Sequence, residues 1–408
     1  MKVPEKYYFR GLFLSYKRNI RMEQTPNKST NIQYTAKQID AIYLVWIENY
    51  NQFIQLAEPA YFVFNLHYGH GLNKKEIAPL CSNAYNISIE KSTHFINEII
   101  DGIENLAENE EISGEVKVAE PDNNYAFSSF SEKEYTIGNK HYLFRYESRL
   151  YEHFLHPLLE HLETKTTKKA DFVYELFFFN GRTFLRHNAI LQDNWNEEDS
   201  QLIKGAVFIQ LLNDIYDKQT SDWMTTLHAS ALSNNHKTMA FSAASGSGKS
   251  TIAALLRTRG FSLISDDFVA LDRTTKQAHP FPITISIKDG AVDMLAKLYP
   301  SLNEKKSQAL SYNRSGRYLS SEKEIGLSLQ PLPIKELVFV EYNPDVEFEF
   351  TPMNRFKAMQ LLIDESWIPA SMDNIEHFLE WITSVSFFKL RYSNNQKALD
   401  TLSELFEV

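Results

Sequence analysis

Cysteine is almost missing from this chain: Cys81 is the one thiol in 408 residues. A single cysteine excludes an intramolecular disulfide framework and a cysteine-built zinc cluster. Set among apolar residues at helical spacing, it reads as a small buried side chain. Long apolar runs are missing too. No stretch reaches the roughly 18 apolar residues of a membrane span, and the N-terminus lacks the apolar core of a secretion signal. No membrane partner is expected, and the protein is expected to be soluble and cytoplasmic. A basic excess is also lacking. The 42 Lys+Arg stand against 52 Asp+Glu, for a formal net charge of -10. Broad nucleic-acid binding needs the opposite balance on its binding face, so no nucleic-acid partner is expected. The small basic group Lys17, Arg18 and Arg21 reads as a solvated face. Neither an internal repeat nor a low-complexity run is present.

What remains is the composition of a packed globular protein, 43% hydrophobic and 23% charged, long enough for two or three domains. Residues 1–35 form an uncertain N-terminal segment, with strand-like "YYFRGLFLSY" and turn-like "TPNKSTN". Residues 36–107 show clearer order. Two strand-like runs, Ile42–Ile47 and Gln52–Leu56, flank Asn49-Tyr50-Asn51. Pro59 suits the first turn of a helix. Asn73, with Glu76 three residues on, caps a second helix carrying Ile77, Leu80, Cys81 and Ala84. Ser88 caps a third, where Phe95, Ile96, Ile99, Ile100, Ile103 and Leu106 follow the helical period. Strands and three helices in so short a stretch predict a small α+β winged-helix-like module. Acidic residues, Gly114 and Pro121 mark 108–124 as a linker.

From 125 to 408 the pattern is that of one α/β domain with its core over 222–408. Asn180-Gly181 between two β-rich runs predicts a hairpin with a type I′ turn. A helix is expected over about Glu197–Lys218. "WMTTLHASAL" and "KTMAFSA" read as strands, Thr251–Arg259 as a helix, and "FSLISDDFVALD" as a strand ending on two aspartates. The C-terminal part alternates again, so α/β architecture is expected.

Between "KTMAFSA" and that helix lies Ser245-Gly246-Ser247-Gly248-Lys249-Ser250-Thr251. Glycines at 246 and 248 let successive backbone N–H groups curl toward one point at a helix N-terminus, a nest for phosphate. Lys249 would reach the β- and γ-phosphates of ATP, and the Ser250 hydroxyl would ligate Mg²⁺. Ala243 stands where such loops usually have their first glycine. Asp266-Asp267 follow the next strand, where open α/β sheets bind ligands. One carboxylate can hold Mg²⁺ and the other can take a proton from an incoming hydroxyl.

These residues resemble a family. "LHAS", "SGSGKST" and "RGFSLISDDFVALD", with the pair Arg259-Gly260, are similar to the C-terminal kinase domain of HPr kinase/phosphorylase. The resemblance covers about 222–273 closely and 274–408 more loosely, where it is similar to HPr-kinase-like proteins of peptide-modification gene clusters. It implies a phosphoenolpyruvate-carboxykinase-like P-loop fold. It also implies Lys249 and the 245–250 backbone on the triphosphate, Ser250 and Asp267 on Mg²⁺, and Asp266 as general base with His228 orienting it. The two aspartates can also divide these roles the other way. Read without the resemblance, His228 is a strand histidine. The Arg-Pro-Gly-Arg-Asn-like signature of the phosphorylase partner site is missing; "YNRSGRYLS" offers Arg314 and Arg317, as a substrate clamp or a plain exposed loop. Family kinases often form rings of subunits, which leaves a homo-oligomer open.

Residues 40–107 resemble the PqqD-like peptide chaperones, also called RiPP recognition elements. That likeness implies capture of a peptide as an added strand. Together the two resemblances imply a Mg²⁺-dependent, ATP-using kinase acting on a serine-type hydroxyl of a bound peptide or protein. A peptide scaffold gated by nucleotide, with little turnover, and a small-molecule hydroxyl kinase are the alternatives.

Overall fold

The computed structural model describes residues 32–108, 119–122, 124–244, 246–311, 314–320 and 330–407. The strand-like opening with Lys17, Arg18 and Arg21, most of the acidic linker, and Ser245 lie outside the described residues. The architecture is mixed α/β, with four sheets and ten α-helices among the described residues. It divides into two compact units. The first takes the described residues before 116 together with Pro369–Thr383, and the second takes the rest.

In the first unit β1 (Tyr34–Ile39), β2 (Ile42–Ile47) and β3 (Gln52–Ala57) form an antiparallel meander. Helix α1 (Glu58–Phe64) follows, with proline in its first turn, then α2 (Lys74–Tyr85) and α3 (Ile89–Glu108). Strand β1 escapes a sequence reading because its "YTAKQI" is largely polar and half-exposed. Val45, Ile47, Ile54 and Leu56 of the sheet pack against Ile77, Cys81 and the isoleucines of α3. The apolar stripe of α2 is narrower than its sequence suggests. Ile77, Ala78 and Cys81 are buried, whereas Leu80 and Ala84 are exposed. The expected cap of α2 is present: the Asn73 side chain accepts from the Lys75 and Glu76 amides, and Glu76 accepts from the Asn73 amide at 2.8 Å. Asn73→Ala should lower unfolding stability by about 1 kcal/mol, measured as a shift in urea midpoint.

The second unit opens with a five-stranded sheet in chain order: β4 (Ser131–Ile137), β5 (Lys140–Tyr146), β6 (Phe172–Phe179), β7 (Arg182–His187) and β8 (Ile190–Trp195). Helix α4 (Arg149–Leu159) makes the one parallel crossover, from β5 to β6. Asn180 and Gly181 have φ of 48° and 82°, as the expected type I′ turn requires. Helix α5 (Ser200–Tyr216) lays Val207, Phe208, Leu211 and Leu212 into the core beneath this sheet.

Next come β9 (Trp223–Leu227), β10 (Ala229–Ser233), β11 (Thr238–Ser242), α6 (Lys249–Arg257), β12 (Ser262–Ser265), β13 (Val269–Asp272), β14 (Gln277–His279) and β15 (Ile285–Lys288). They are followed by α7 (Asp289–Leu295), β16 (Gln308–Ser311), β17 (Arg314–Leu319), β18 (Leu332–Tyr342), β19 (Phe348–Pro352), α8 (Arg355–Asp364) and β20 (Ser366–Trp367). Helix α9 (Met372–Ser384), β21 (Ser386–Tyr392) and α10 (Asn395–Glu407) complete the chain. Through Thr383, α9 belongs to the first unit, where the Thr35 hydroxyl donates to Glu376 at 3.5 Å.

The large sheet runs β12-β10-β11-β18-β14-β13-β9-β20, with β21 beside β18 and β19 beside β21. Strands β11, β18 and β21 are mutually parallel, so their C-terminal ends share one edge of the sheet. A smaller sheet runs β15-β17-β16. Two stretches that read as single strands are each broken. "WMTTLHASAL" divides at His228 into β9 and β10, and "SLISDDFVALD" divides at Asp266-Asp267 into β12 and β13. Strands β10 and β12 pair on one side of the break, and β9 and β13 on the other. The histidine and the aspartates therefore meet at one corner of the sheet.

Candidate active site

Strand β11 ends at Ser242, and α6 begins at Lys249. Between them Gly246 and Gly248 take φ of 95° and 99°. Such left-handed turns favour glycine. Gly248 is also crowded: a Cβ there would lie 3.2 Å from the Tyr392 hydroxyl and 3.4 Å from Tyr342 Cβ. The loop is tied down by the Ser247 amide on the Ala244 carbonyl at 3.2 Å and by the Tyr342 amide on the Ser247 carbonyl at 2.9 Å. Lys249, 5% exposed, donates to the Ala243 carbonyl. The ammonium is thus held at the loop it would serve.

Asp266 is fully buried. It accepts from the Ser230 hydroxyl, from the Ser250 hydroxyl at 3.0 and 3.2 Å, and from the Ser286 amide at 3.1 Å. Burial, and then the neighbouring Asp267 charge, push its carboxyl up to about 6. Asp267 differs. Its backbone has φ of 63°, a left-handed conformation that aspartate tolerates better than most residues. Its side chain is partly exposed and lies 3.8 Å from His228 Nδ1. Burial raises its pKa, but Lys204, His228, Lys249 and Lys288 together outweigh burial and hold it below the ordinary aspartate value. His228 is lowered from the ordinary histidine value, by burial first and only partly countered by Asp267. Its backbone amide is anchored on the Glu365 carbonyl at 2.8 Å.

These contacts reverse the expected pairings. Ser250 bonds Asp266 rather than Asp267, and His228 stands against Asp267 rather than Asp266. The reason is strand geometry. Asp266 still points inward at the end of β12, while the left-handed turn at Asp267 swings the next side chain outward.

A cavity of about 1130 Å³ opens over this corner. Gly246, Gly248, Lys249, Ser250 and Thr251 line it, as do His228 and Asp267. Asp266 does not. Lys204 of α5 and Lys288 at the end of β15 also line it, so three lysines share the cavity with one partly exposed carboxylate. No sequence signal singles out either of these two lysines, because sheet and helix bring them in from distant segments. Ser230 was within reach of reading: it stands in "LHAS", two residues after His228. Arg317 is not part of the lining. Its guanidinium donates to the Leu302 carbonyl at 2.6 Å. Arg314 lies on β17 with its side chain outside the described residues, as are residues 312 and 313.

Among the described residues no group of three or more His, Cys, Asp and Glu could hold a metal. The donor set that does fit a hard divalent cation is smaller: one serine hydroxyl on a buried carboxylate, beside a second carboxylate. A carboxylate with its pKa raised by desolvation gains most from a cation. No described helix is long and apolar enough to cross a membrane.

The raised pKa of Asp266 has a stability consequence. Well below pH 4 the group is protonated whether the chain is folded or not. As pH rises from about 4 to about 6, the unfolded chain ionises while the folded group still holds its proton, and the folded state loses on the order of a few kcal/mol. Asp266→Asn removes that loss, and the Ser230 and Ser250 hydroxyls can turn to accept from the amide. With metal chelated, the variant should unfold at higher urea than wild type at pH 8, and the gap should close toward pH 4. A gap of constant size across that range refutes the assignment.

Compared with protein-family models and with curated proteins, the chain finds no match. Among solved structures it is similar to the HPr(Ser) kinase/phosphatase from Coxiella burnetii, at 13% identity over 44% of this chain and 87% of that one, with a TM-score of 0.21. A TM-score that low bears on neither fold nor function.

Proposed function

We propose that the second unit is a Mg²⁺-dependent kinase that moves the γ-phosphate of ATP to a serine-type hydroxyl. The observation that carries this reading is the division of labour between adjacent aspartates. One is sealed against the Ser250 hydroxyl at the head of α6, and the other opens beside His228 into a cavity lined with lysine. A protein that only senses nucleotide needs the first carboxylate and has no use for the second.

In this reading Ser250 and Asp266 hold the cation. Bound there, Mg²⁺ supplies charge neutralisation for the transferring phosphoryl oxygens. The amides around Gly246 and Gly248 and the Lys249 ammonium grip the β- and γ-phosphates. Lys204 and Lys288 add positive charge where the transferring group collects negative charge. Asp267, ionised at neutral pH, takes the proton of the acceptor hydroxyl as its oxygen bonds to phosphorus and the bond to the ADP oxygen breaks. His228, kept neutral by its lowered pKa, orients Asp267. In this reading the base role expected of Asp266 passes to Asp267, because Asp267 lines the cavity and Asp266 does not.

The acceptor in this proposal is a ribosomally made peptide, captured by the first unit as an added strand. The meander β1-β2-β3 supports this part of the reading, since both outer strands have one edge without a strand partner among the described residues. Incubation of the full chain with ATP, Mg²⁺ and serine-bearing peptides, followed by mass spectrometry, is the test. A peptide gaining one phosphate supports the proposal. ATP loss with water as the sole acceptor overturns it.

A further inference from the structure

The cavity lining falls into two groups. Asp267, His228, Lys204, Lys288 and Lys249 belong together by charge. Tyr342 and Tyr392 form the other, against Gly248. Both tyrosines are the last residues of parallel strands, β18 and β21, and lie directly opposite each other in register. Their rings meet edge to face at 5.6 Å and 83°. They differ in exposure. Tyr342 is 51% exposed, whereas Tyr392 is fully buried and its hydroxyl has no hydrogen-bond partner among the described residues. That hydroxyl lies 3.2 Å from where a Gly248 Cβ would be, facing the phosphate loop.

A buried phenol without a partner is unusual and invites an acceptor. An exposed aromatic face next to a phosphate cradle invites a flat ring. We infer that Tyr342 and Tyr392 form the nucleoside end of the site, with the base stacked on the Tyr342 ring and a ligand oxygen accepting from the Tyr392 hydroxyl. The amide of Tyr342 on the Ser247 carbonyl fixes the platform to the loop, so base and phosphates are held by one rigid piece. The triphosphate then runs from the tyrosine pair past Gly248 toward Asp267. This inference rests on the nucleotide reading of the loop and adds which side of it the base occupies.

The test uses the full chain with Mg²⁺ and two ligands, ATP and inorganic tripolyphosphate, titrated by calorimetry. Tyr342→Ala should weaken ATP about tenfold or more while tripolyphosphate affinity stays at the wild-type value. Tyr342→Phe, which keeps the ring, should restore ATP binding. Tyr392→Phe should weaken ATP by a smaller factor. ATP affinity unchanged in Tyr342→Ala overturns the inference while leaving the nucleotide reading intact. A Tyr342→Ala variant that loses both ligands equally also overturns it, because the ring then acts on the loop and not on the base. Wild-type protein that binds neither ligand removes the nucleotide reading and the inference with it.

Discussion

Lys249→Ala is expected to lower phosphoryl transfer by at least about 10²–10³-fold, the usual effect of removing one well-placed charge stabiliser. Two effects combine. The ammonium that would reach the phosphates is lost. One of the three lysines whose charge holds Asp267 below its ordinary pKa is lost as well, so less positive charge remains beside the carboxylate. Alanine is a strong helix former, so α6 should still form in the variant. Arginine should not restore activity. Its planar, bulkier head does not fit the place where the lysine ammonium meets the Ala243 carbonyl. Single-turnover transfer and a thermal melt check both halves of the expectation. Wild-type turnover in the alanine variant would remove the phosphate loop from the chemistry.

Asp267→Asn comes next in size. The amide has the shape of the carboxylate, and asparagine tolerates the left-handed backbone at this position. Folding and ATP binding should therefore persist. Transfer should fall by about 10²–10⁴-fold, the range for loss of a general base. The Asp267 charge also raises the pKa of Asp266, so its removal should leave Asp266 more fully ionised at neutral pH. Nucleotide affinity in the presence of Mg²⁺ should accordingly hold or tighten while turnover collapses. Equal losses in affinity and turnover would place Asp267 in binding rather than proton transfer.

Much of this was legible in the chain. The glycine spacing at 246 and 248, the lysine and serine that follow, and the flanking strand and helix are local features, written in adjacent residues. So were the capping box at Asn73 and the type I′ pair Asn180-Gly181. Local hydrogen bonds and φ preferences depend on neighbours in sequence, and a sequence shows its neighbours. The acidic pair was visible as a pair, but the different surroundings of its two members were not. Alternation of side chains along a strand suggests opposite directions for Asp266 and Asp267. Which of them meets Ser250 depends on where β12 stops and on a left-handed turn that no pattern announces.

The sequence by itself determined the glycine-rich loop ahead of α6, the capping box at Asn73 and the presence of a double carboxylate, because each is set within a few residues. Only the tertiary structure decided that Ser250 and Ser230 close on Asp266 and that Lys204 and Lys288 converge on Asp267. It alone assigned Pro369–Thr383 to the first unit and placed Tyr342 opposite Tyr392 at the loop. Those arrangements come from strand order and register across segments far apart in the chain. Packing of the whole core sets them, and no short stretch carries that information.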